Sequence, residues 1–392
     1  MEKKTLNDID VYGKKVLVRV DFNVPVKDGV ITDDNRIKET LPTIKYLIDK
    51  GASVILMSHL GRPDGQVVKK YSLKPVAVRL AELLETKVIF SKDVVGPDTV
   101  KKAEKLKMGQ VMLIENLRFE KGEEENDKNF VKKLASLADV YVNDAFGTAH
   151  RKHASTYGVA LLMPSAIGFL IEKELNAISG TIANPKRPFV GILGGAKVSD
   201  KIGIVNSLIG QVDTLIIGGA MAYTFLKALG YSVGASLVED DKVEVAKEAL
   251  DLASTNNVQI LLPIDHIVAK SIDDKKGDTT KGANIPEGFM GVDIGPATIK
   301  RYSKAIKRAK TVIWNGPMGV FENETFANGT YKVAKAVAKC HGMTIVGGGD
   351  STAAVIKMGF AKKISHISTG GGASLKLFEG KILAGVDAIE NK

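Results

Sequence analysis

Short apolar segments rich in valine, isoleucine and leucine alternate along the chain with longer segments in which apolar residues recur every three or four positions. The short segments predict β-strands and the longer ones predict amphipathic helices. Helical spacing is clear in LKPVAVRLAELLE (73–85) and KVEVAKEALDLAS (242–254). Strands that alternate with helices are typical of parallel sheets joined by crossover helices. The pattern therefore predicts an α/β fold.

The predicted strands form two series that differ in the residues immediately after each strand. Charged residues come after the strands of the first series, and glycines come after those of the second. Because ligands bind at the carboxyl ends of strands in open parallel sheets, the two series predict two sheets with different chemistry. The first series is KVLVRV (15–20), SVILM (53–57), KVIF (87–90), VMLIE (111–115) and DVYVND (139–144). The second is FVGILGG (189–195), DTLIIGG (213–219), VQILLPID (258–265), TVIWNG (311–316), MTIVGGG (343–349) and HISTGGG (366–372).

The stretch SAIGFLIEKELNAISGTIANPKRP (165–188) separates the two series. It begins with a helical pattern and ends with small residues and prolines, which are typical of a connecting loop. A chain of 392 residues is also longer than one ordinary core requires. We therefore expect two domains, with this stretch acting as a hinge and spacer between them.

The composition is that of a soluble globular protein, with 44% hydrophobic and 26% charged residues. The single cysteine, Cys340, excludes a disulfide framework and fits a reducing compartment. The N-terminal sequence MEKKTLNDID lacks the apolar core of a signal peptide. The most apolar region, 157–171, is interrupted by Pro164 and is too short to span a bilayer. We therefore expect a cytoplasmic protein that does not span a membrane.

The formal net charge of +10 is compatible with nucleic acid, an anionic surface or a small anionic substrate as the partner. The lysines are scattered and often alternate with acids, as in KKAEKLK (101–107), which is typical of solvated helix faces. The chain has no stripe of alternating aromatic and basic residues of the kind that binds single-stranded nucleic acid. These features favour the small substrate.

Arginine is concentrated in the first half of the chain, and four arginines there lie in or beside loops at strand ends. Planar guanidinium groups bind phosphate and carboxylate through two hydrogen bonds, so their convergence predicts a site for a small polyanion. The alternative is that each arginine forms a surface ion pair and each histidine nearby is a packing residue. Asp21 and Asn23 either accept hydrogen bonds from a substrate hydroxyl or cap a turn. The residues at strand ends are Arg36, Arg62, Arg118 and Arg151, together with His59, His150 and His153.

The segment GILGGAKV (191–198) follows a predicted strand and comes close to the phosphate-binding P-loop. It departs from that pattern because Ala196 replaces the last glycine and Val198 replaces the hydroxyl residue that binds Mg²⁺. The chain also lacks the G-x-G-x-x-G motif of dinucleotide-binding proteins. If a helix starts near Lys197, Lys197 and Lys201 share one of its faces and both address a phosphate chain.

Three further glycine turns follow predicted strands in the second half. GGGDST (347–352) places Asp350 at a helix start, where the acid either stabilises the helix dipole or supplies the missing Mg²⁺ ligand. STGGGAS (368–374) offers bare backbone amides to a phosphate. WNGPMGVFE (314–322) ends in Glu322, an acid suited to a ribose hydroxyl. Each turn alone is ordinary loop chemistry, but together they predict a nucleotide site.

Taken together, these motifs closely resemble those of the phosphoglycerate kinase family. The resemblance covers nearly the whole chain, and no motif position departs from the family pattern. The motifs stand in the family's order: RVDFNVP (19–25), DDNRIKETLPTI (33–44), SHLGRP (58–63), ENLRF (115–119), NDAFGTAHR (143–151), GGAKVSDK (194–201), WNGPMGVFE (314–322), GGGDS (347–351) and STGGGAS (368–374).

The resemblance implies two Rossmann-like, three-layer α/β domains with parallel sheets that face a central cleft. It implies an N-terminal 3-phosphoglycerate-binding domain (1–168 with 376–392), an interdomain helix and hinge (169–187) and a C-terminal nucleotide-binding domain (188–375). The implied reaction, a step of glycolysis and gluconeogenesis, converts 1,3-bisphosphoglycerate and ADP into 3-phosphoglycerate and ATP, reversibly and with Mg²⁺. We also expect hinge bending, a monomer, and no binding of nucleic acid or membrane.

The resemblance also assigns roles to individual residues. It implies that 3-phosphoglycerate is bound by Asp21, Asn23, Arg36, His59, Arg62, Arg118 and Arg151. It implies that the nucleotide and its metal are bound by Lys201, Gly291, Asn315, Glu322, Gly348, Gly349, Asp350 and Ser351, with Asp350 as the metal ligand. The phosphoryl group in transfer would be surrounded by Arg36, Lys197, Gly371 and Gly372.

In the ATP-consuming direction the attacking group would be a carboxylate, which is already ionised near neutral pH and needs no general base. This agrees with the absence of a convincing base dyad in the sequence. Two other functions remain open at this point. One is a different carboxylate kinase on the same scaffold, which competition with 3-phosphoglycerate would distinguish. The other is a non-catalytic polyanion-binding protein, for which we would expect salt-dependent binding without turnover.

Overall fold

The computed structural model describes residues 2–392. These residues form two compact units, and the chain passes from the first to the second between Leu175 and Asn176 and returns between Lys381 and Ile382. The second unit is therefore inserted into the sequence of the first. The first crossing lies inside a helix, within the range predicted for the hinge, and the return lies beyond the predicted boundary after residue 375.

A parallel sheet forms the centre of the first unit. Its order is β5-β6-β4-β1-β7-β8, while β2 and β3 form a separate hairpin. The strands are β1 (Lys15–Arg19), β2 (Val26–Lys27), β3 (Val30–Ile31), β4 (Ser53–Met57), β5 (Val88–Phe90), β6 (Val111–Leu113), β7 (Val140–Asn143) and β8 (Ser165–Ile167). The helices are α1 (Asn35–Asp49), α2 (Lys74–Leu84), α3 (Pro97–Glu104), α4 (Gly122–Glu125), α5 (Lys128–Ala135) and α6 (Phe169–Ala183), which continues into the second unit.

The core of the first unit follows from the alternation of side chains along the strands. Val16 and Val18 of β1 lie on one face of the sheet, because side chains two positions apart point to the same side. They cluster there with apolar residues of the neighbouring strands and of two helices that cover this face. The members contributed by β4, α1 and α2 include Val54, Leu56, Ile37, Ile44, Leu47, Val76 and Leu80.

The second unit repeats this plan with its own parallel sheet, in the order β11-β10-β9-β15-β16-β17. Its strands are β9 (Phe189–Leu193), β10 (Thr214–Ile217), β11 (Gln259–Leu261), β12 (His266–Ala269), β13 (Asp278–Thr279), β14 (Met290–Ile294), β15 (Thr311–Asn315), β16 (Met343–Val346) and β17 (His366–Ile367). Its helices are α7 (Ile202–Ile209), α8 (Met221–Ala228), α9 (Val243–Thr255), α10 (Pro296–Arg308), α11 (Asn328–Ala338), α12 (Gly349–Lys357) and α13 (Gly371–Phe378).

The predicted α/β class with two parallel sheets is confirmed. Each apolar run for which a strand is predicted contains one, and the two helical patterns correspond to α2 and α9. The sequence pattern does not predict β8 or the small antiparallel sheet β13-β12-β14. β8 is only three residues long, and the antiparallel strands lack long apolar runs, so neither stands out. Within residues 2–392, no helix combines the length and the apolar character needed to cross a lipid bilayer.

The segment Ile382–Lys392, which includes α14 (Ala384–Asp387), belongs to the first unit. Its backbone pairs with the N-terminal segment, where the Lys4 amide donates to the Glu390 carbonyl over 2.9 Å. It also contacts the end of β7, because the Asn143 side-chain amide donates to the Gly385 carbonyl over 3.0 Å. The segment thus completes the packing of a sheet formed by residues far earlier in the chain.

The N-terminus of α6 is held by groups from β7 and α1. Asp144, which follows β7 and is fully buried, accepts hydrogen bonds from the amides of Leu170 (2.8 Å) and Ile171 (3.3 Å). Thr43 of α1 accepts one from the amide of Phe169 over 3.0 Å. These acceptors satisfy backbone amides that a helix leaves unpaired in its first turn. Burial raises the pKa of Asp144 to about 7.

Gly168 permits this arrangement, since a Cβ at this position would lie 2.3 Å from Asp144 Oδ1. We predict that Gly168→Ala lowers the free energy of unfolding by about 1–3 kcal/mol, because the added methyl group must displace the buried carboxylate. Gly180→Ala, inside the helix that begins one residue after Gly168, is the matched control, because Gly180 is exposed and, within residues 2–392, an added Cβ would have no atom within 4 Å beyond its own helical turn. The control should stabilise the protein by about 0.5–1 kcal/mol. Urea denaturation of both variants would contradict the prediction if they were equally stable.

Candidate functional site

In the first unit, the predicted substrate residues gather at the carboxyl edge of the parallel sheet. The strands that precede them, β6, β4, β1 and β7, are neighbours in the sheet. Asp21 and Asn23 follow β1, His59 and Arg62 follow β4, Arg118 follows β6, and Arg151 follows β7. Arg36 comes from the first turn of α1. Residues that are distant in sequence are therefore brought to one edge.

A set of hydrogen bonds joins the loops after β1, β4 and β6. Arg36 Nη1 donates to both carboxylate oxygens of Asp21, over 3.1 and 3.0 Å, and to the Asn23 carbonyl over 3.3 Å. Asn23 Oδ1 accepts from the Gly61 amide over 3.0 Å, and the Gly61 carbonyl accepts from Arg118 Nη1 over 2.8 Å. The amide of Asn23 also donates to Asp21 Oδ1 over 3.2 Å, so Asp21 caps this turn, which is one of the two roles that the sequence leaves open for it.

The guanidinium groups of this edge differ in how far they are already paired. Arg62 is exposed, and neither it nor the half-buried Arg151 forms a side-chain hydrogen bond or an ion pair within residues 2–392. Arg118 is 6% exposed, and its Nε has no hydrogen-bond partner there. Burial lowers the pKa of Arg118. The charge of Glu124, which pairs with Arg118 Nη2 over 3.2 Å, opposes this shift, while the charges of Arg19 and Arg151 lower the pKa further. The edge therefore holds positive charge and free N–H donors, which suits a small polyanion.

Two histidines lie among these arginines in the neutral form. Burial, followed by the charges of Arg19 and Arg118, lowers the pKa of His59 well below its usual value. Burial also lowers the pKa of His153 to about 3. Neither ring therefore adds a charge to the site at neutral pH.

Three buried polar residues beneath this edge are absent from the sequence prediction. Arg19 is the last residue of β1 and is 1% exposed, while Glu123 of α4 and Ser155 are fully buried. They form a connected group, because Arg19 Nε donates to Ser155 Oγ over 2.7 Å and Ser155 Oγ donates to Glu123 Oε1 over 2.6 Å. The signal for Arg19 is its place between two valines near the end of the predicted strand KVLVRV (15–20). Glu123 lies in an acidic run that resembles a solvated helix face.

In the second unit, most of the predicted nucleotide residues lie at the carboxyl edge of the other parallel sheet. Lys201 Nζ donates to Asn315 Oδ1, and Asn315 Nδ2 donates to the Gly347 carbonyl over 2.7 Å. Ser351 Oγ accepts from the Gly316 amide over 2.7 Å, which links the loops after β15 and β16. Burial lowers the pKa of Lys201 to about 8, while the charge of Asp350 opposes this shift. Lys201 therefore remains largely protonated at neutral pH.

The N-termini of α12 and α13 lie side by side. A Cβ on Gly371 would lie 3.3 Å from the amide nitrogen of Gly349. Gly348, which precedes α12, has φ +95° and a Cβ there would lie 2.4 Å from Asn315 Nδ2, so only glycine fits. Gly349 and Gly372 are exposed. Two helix starts with bare amides form a surface that favours phosphate.

The prediction that Lys197 and Lys201 share a helix face is wrong. α7 begins at Ile202, and Lys201 is its N-cap residue. The turn that precedes it is closed by hydrogen bonds from the amides of Lys201 and Ile202 to the Val198 carbonyl, both 2.8 Å. Lys197 therefore lies in an irregular segment, exposed and without a hydrogen bond or ion pair within residues 2–392. Its side chain is free to bind an anion.

The remaining nucleotide residues, Gly291 and Glu322, lie on adjoining segments. Gly291 is in β14, and the neighbouring Val292 carbonyl accepts from the Val320 amide over 2.8 Å. That bond joins β14 to the turn that ends in the exposed Glu322. Asp350 is exposed in the first turn of α12 and makes no hydrogen bond or ion pair within residues 2–392. Among those residues, no three His, Cys, Asp or Glu side chains come together as a metal-binding group.

Comparison with known proteins yields one family. The family model described as "Phosphoglycerate kinase" matches residues 6–381. The chain is 58% identical to proteins named phosphoglycerate kinase from Clostridium novyi and Clostridium perfringens, in each case over 100% of this chain and over 100% and 99% of those proteins.

Solved structures give the same result. The structure of phosphoglycerate kinase from Coxiella burnetii matches with a TM-score of 0.89 at 41% identity, and it covers 98% of both chains. The crystal structure of phosphoglycerate kinase from Pyrococcus horikoshii matches with a TM-score of 0.83 at 37% identity, again over 98% of both chains. The similarity therefore extends over the whole chain rather than over one unit.

The buried neutral His153 should make the protein sensitive to acid. Its pKa is about 3 in the folded state and about 6.5 in an unfolded chain. Between these values the unfolded chain binds more protons, so the stability that His153 contributes is complete above pH 6.5 and is lost as the pH falls toward 3. We predict that His153→Asn loses less stability than the parent protein between pH 7 and about pH 4.5.

Urea denaturation at both pH values measures this difference. His341→Asn, which replaces an exposed histidine, is the control and should keep the parent pH dependence. An equal pH dependence in the His153→Asn variant and the parent protein would contradict the prediction.

Proposed function

The chain belongs to the phosphoglycerate kinase family and is a phosphotransferase, and we propose on that premise that it transfers a phosphoryl group reversibly between 1,3-bisphosphoglycerate and ADP, giving 3-phosphoglycerate and ATP. The observation that carries this proposal is that two parallel sheets each present a different edge, one lined by arginines and one by glycine turns and lysines, and both kinds of group suit anions. The match over the whole chain disfavours the two alternatives that the sequence leaves open, a different carboxylate kinase and a non-catalytic polyanion-binding protein.

We assign 3-phosphoglycerate to the first unit. This substrate carries a phosphate and a carboxylate, and both groups pair well with guanidinium forks. Within residues 2–392, Arg62 and Arg151 form no side-chain hydrogen bond or ion pair, so their donors are available to the incoming phosphate. The remaining residues of the assigned set are Asp21, Asn23, Arg36 and His59. Arg36 is held by Asp21 in the free protein, so substrate must compete with that ion pair, whose N–O distance is 3.0 Å.

We assign the nucleotide to the second unit. Lys201 is held by Asn315, and the exposed amides at the starts of α12 and α13 lie beside them. Such amides bind phosphate oxygens without a change in protonation, and glycine lets the phosphate approach the backbone closely. Glu322 is proposed for a ribose hydroxyl and Gly291 for the nucleoside, since their segments adjoin through the bond between Val320 and Val292. Gly348, Gly349 and Ser351 complete the set.

The residues assigned to transfer act on charge and position rather than on protons. The attacking carboxylate is ionised near neutral pH, so no general base is needed. Lys197, Arg36 and the amides of Gly371 and Gly372 are proposed to stabilise the negative charge on the transferring group. Direct transfer requires the two bound substrates to meet, so hinge bending stays part of the proposal. Small-angle scattering should then give a smaller radius of gyration with both substrates bound.

Asp350 fits a magnesium ion that accompanies the nucleotide. Magnesium usually binds one or two carboxylates together with substrate phosphates and water. Asp350 is an exposed carboxylate in the first turn of α12 that forms no hydrogen bond or ion pair within residues 2–392. A bound Mg²⁺ would supply positive charge to the phosphates. The lack of a three-residue ligand group in residues 2–392 agrees with a metal that takes most of its ligands from the nucleotide and water.

A coupled assay for ADP formation from ATP and 3-phosphoglycerate tests the proposal, with Lys197→Ala as its most informative variant. We predict that kcat falls roughly 100-fold with little change in nucleotide Kd, because a lysine that acts in transfer contributes mainly to the transition state. Lys197 is exposed and forms no hydrogen bond or ion pair within residues 2–392 that would hold it elsewhere. Lys300→Ala, which removes another exposed lysine of the same unit, is the control. A rise in nucleotide Kd at constant kcat would show that Lys197 only binds.

The metal assignment predicts a different response in Asp350→Asn. The Mg²⁺ concentration needed for half-maximal activity should rise roughly tenfold or more, because the variant loses the charge of the carboxylate. Asp251→Asn removes a carboxylate from the solvent-facing side of α9 and should not alter this requirement. Equal magnesium titrations of Asp350→Asn and the parent protein would remove Asp350 as a ligand.

A further inference from the structure

Arg19 is a charged residue buried inside the first unit. It is 1% exposed, and each of its three nitrogens has a partner. Nε donates to Ser155 Oγ over 2.7 Å, Nη1 donates to the Val20 carbonyl, and Nη2 lies 3.2 Å from His59 Nδ1. A buried side chain whose three nitrogens are all engaged is not placed to bind a substrate itself. Arg19 therefore acts on the site through the groups that it holds.

The contact with His59 determines where the imidazole carries its proton. A guanidinium group has only N–H donors and stays protonated in proteins. His59 Nδ1 must therefore accept the hydrogen bond from Arg19, which leaves the ring proton on Nε2. The Nε2 atom has no hydrogen-bond partner within residues 2–392, although the residue as a whole is only 4% exposed. His59 thus offers a single N–H donor at an edge rich in arginines.

The carboxylate linked to Arg19, that of Glu123, is connected to it through the Ser155 hydroxyl. Arg19 forms no direct ion pair within residues 2–392, and a buried guanidinium without a counter-charge is costly. Glu123, which is fully buried, accepts from Ser155 twice, from Oγ over 2.6 Å and from the backbone amide over 3.0 Å. Because the Ser155 hydroxyl donates to Glu123, its oxygen is free to accept from Arg19. The two hydrogen bonds therefore have a fixed direction: Arg19 donates to Ser155, and Ser155 donates to Glu123.

A second group faces the same carboxylate. His153 Nδ1 lies 3.9 Å from Glu123 Oε1 and has no hydrogen-bond partner within residues 2–392. Burial raises the pKa of Glu123, while Arg19 and the hydrogen bonds from Ser155 lower it. The carboxylate therefore lies close to His153 and is linked to Arg19 through the Ser155 hydroxyl rather than by a direct contact.

We infer that Glu123 and Ser155 are positioning residues, which hold Arg19 so that His59 is kept as the neutral tautomer with its proton on Nε2, ready to donate one hydrogen bond to 3-phosphoglycerate. This inference rests on the proposed function, which places the substrate against His59. It adds two residues outside the set that resemblance to the family supplies. It also gives His59 a defined role, that of a neutral donor among cations.

The tautomer can be read directly in the free protein. The full chain, labelled with ¹⁵N in histidine, gives ring nitrogen shifts that distinguish protonated from unprotonated nitrogens, and loss of signals in His59→Gln assigns the residue. We expect a protonated Nε2 and an unprotonated Nδ1 at neutral pH. A proton on Nδ1, or on both nitrogens, overturns the inference. This measurement in the parent protein does not depend on whether any network variant folds.

The network variants test the roles of Glu123 and Ser155. In Glu123→Gln and Ser155→Ala we expect the His59 signals to shift toward a mixture of tautomers. We also expect the KM for 3-phosphoglycerate to rise about threefold to tenfold, the range for one weakened hydrogen bond, with kcat and the KM for ATP nearly unchanged. Glu125→Gln, an exposed glutamate on the same helix α4, is the matched control and should behave as the parent protein.

The outcomes separate this inference from the function on which it rests. If the parent protein turns over 3-phosphoglycerate but both network variants keep the parent tautomer and KM, the positioning role is overturned and the function stands. If the parent protein does not turn over 3-phosphoglycerate, the function fails, while the ring nitrogen shifts still report whether Arg19 sets the tautomer. A purely structural role would lower the melting temperature of the network variants without moving either readout, and would overturn the inference.

Discussion

In a parallel sheet all strands end at the same edge, and the placement of nearly every candidate residue in both units follows from this constraint. β6, β4, β1 and β7 bring four loops together in the first unit, and β9, β15, β16 and β17 do so in the second. The loops carry little regular structure of their own, so the sheets fix their positions. Buried strands thereby turn residues scattered over the sequence into two local groups.

The two groups collect positive charge by different physical means. The first uses guanidinium groups, some of them deeply buried, and burial lowers the pKa of Arg118 and raises that of the carboxylate Glu123 beneath the site. The second uses backbone amides at the starts of α12 and α13, which are dipoles and need no counter-charge. Side-chain charge gives strong binding of a small anion, whereas amides and glycine allow close approach along a longer phosphate chain.

The parts of the fold and of the sites that depend on local pattern could be predicted from the sequence. Runs of β-branched residues mark the main strands, and charged or glycine-rich turns mark the edges where candidate residues gather. The shared helix face for Lys197 and Lys201 fails because the turn closed by Val198 delays the helix to Ile202, and spacing alone does not reveal where a helix starts. Glu123 and Ser155 escape prediction because their roles arise from burial and from contacts 32 residues apart in sequence, which no local pattern encodes.

The return of Ile382–Lys392 to the first unit bears on how the protein is made. Translation proceeds from the N-terminus, so the ribosome delivers all of Asn176–Lys381 before the segment that pairs with Lys4 and Asn143 exists. The second unit is then completely synthesised and is able to fold, while the first unit still lacks the segment Ile382–Lys392. Until then the apolar surface against which Leu383, Val386 and Ile389 are buried is uncovered, and apolar surface of this kind makes an incompletely folded chain prone to aggregation.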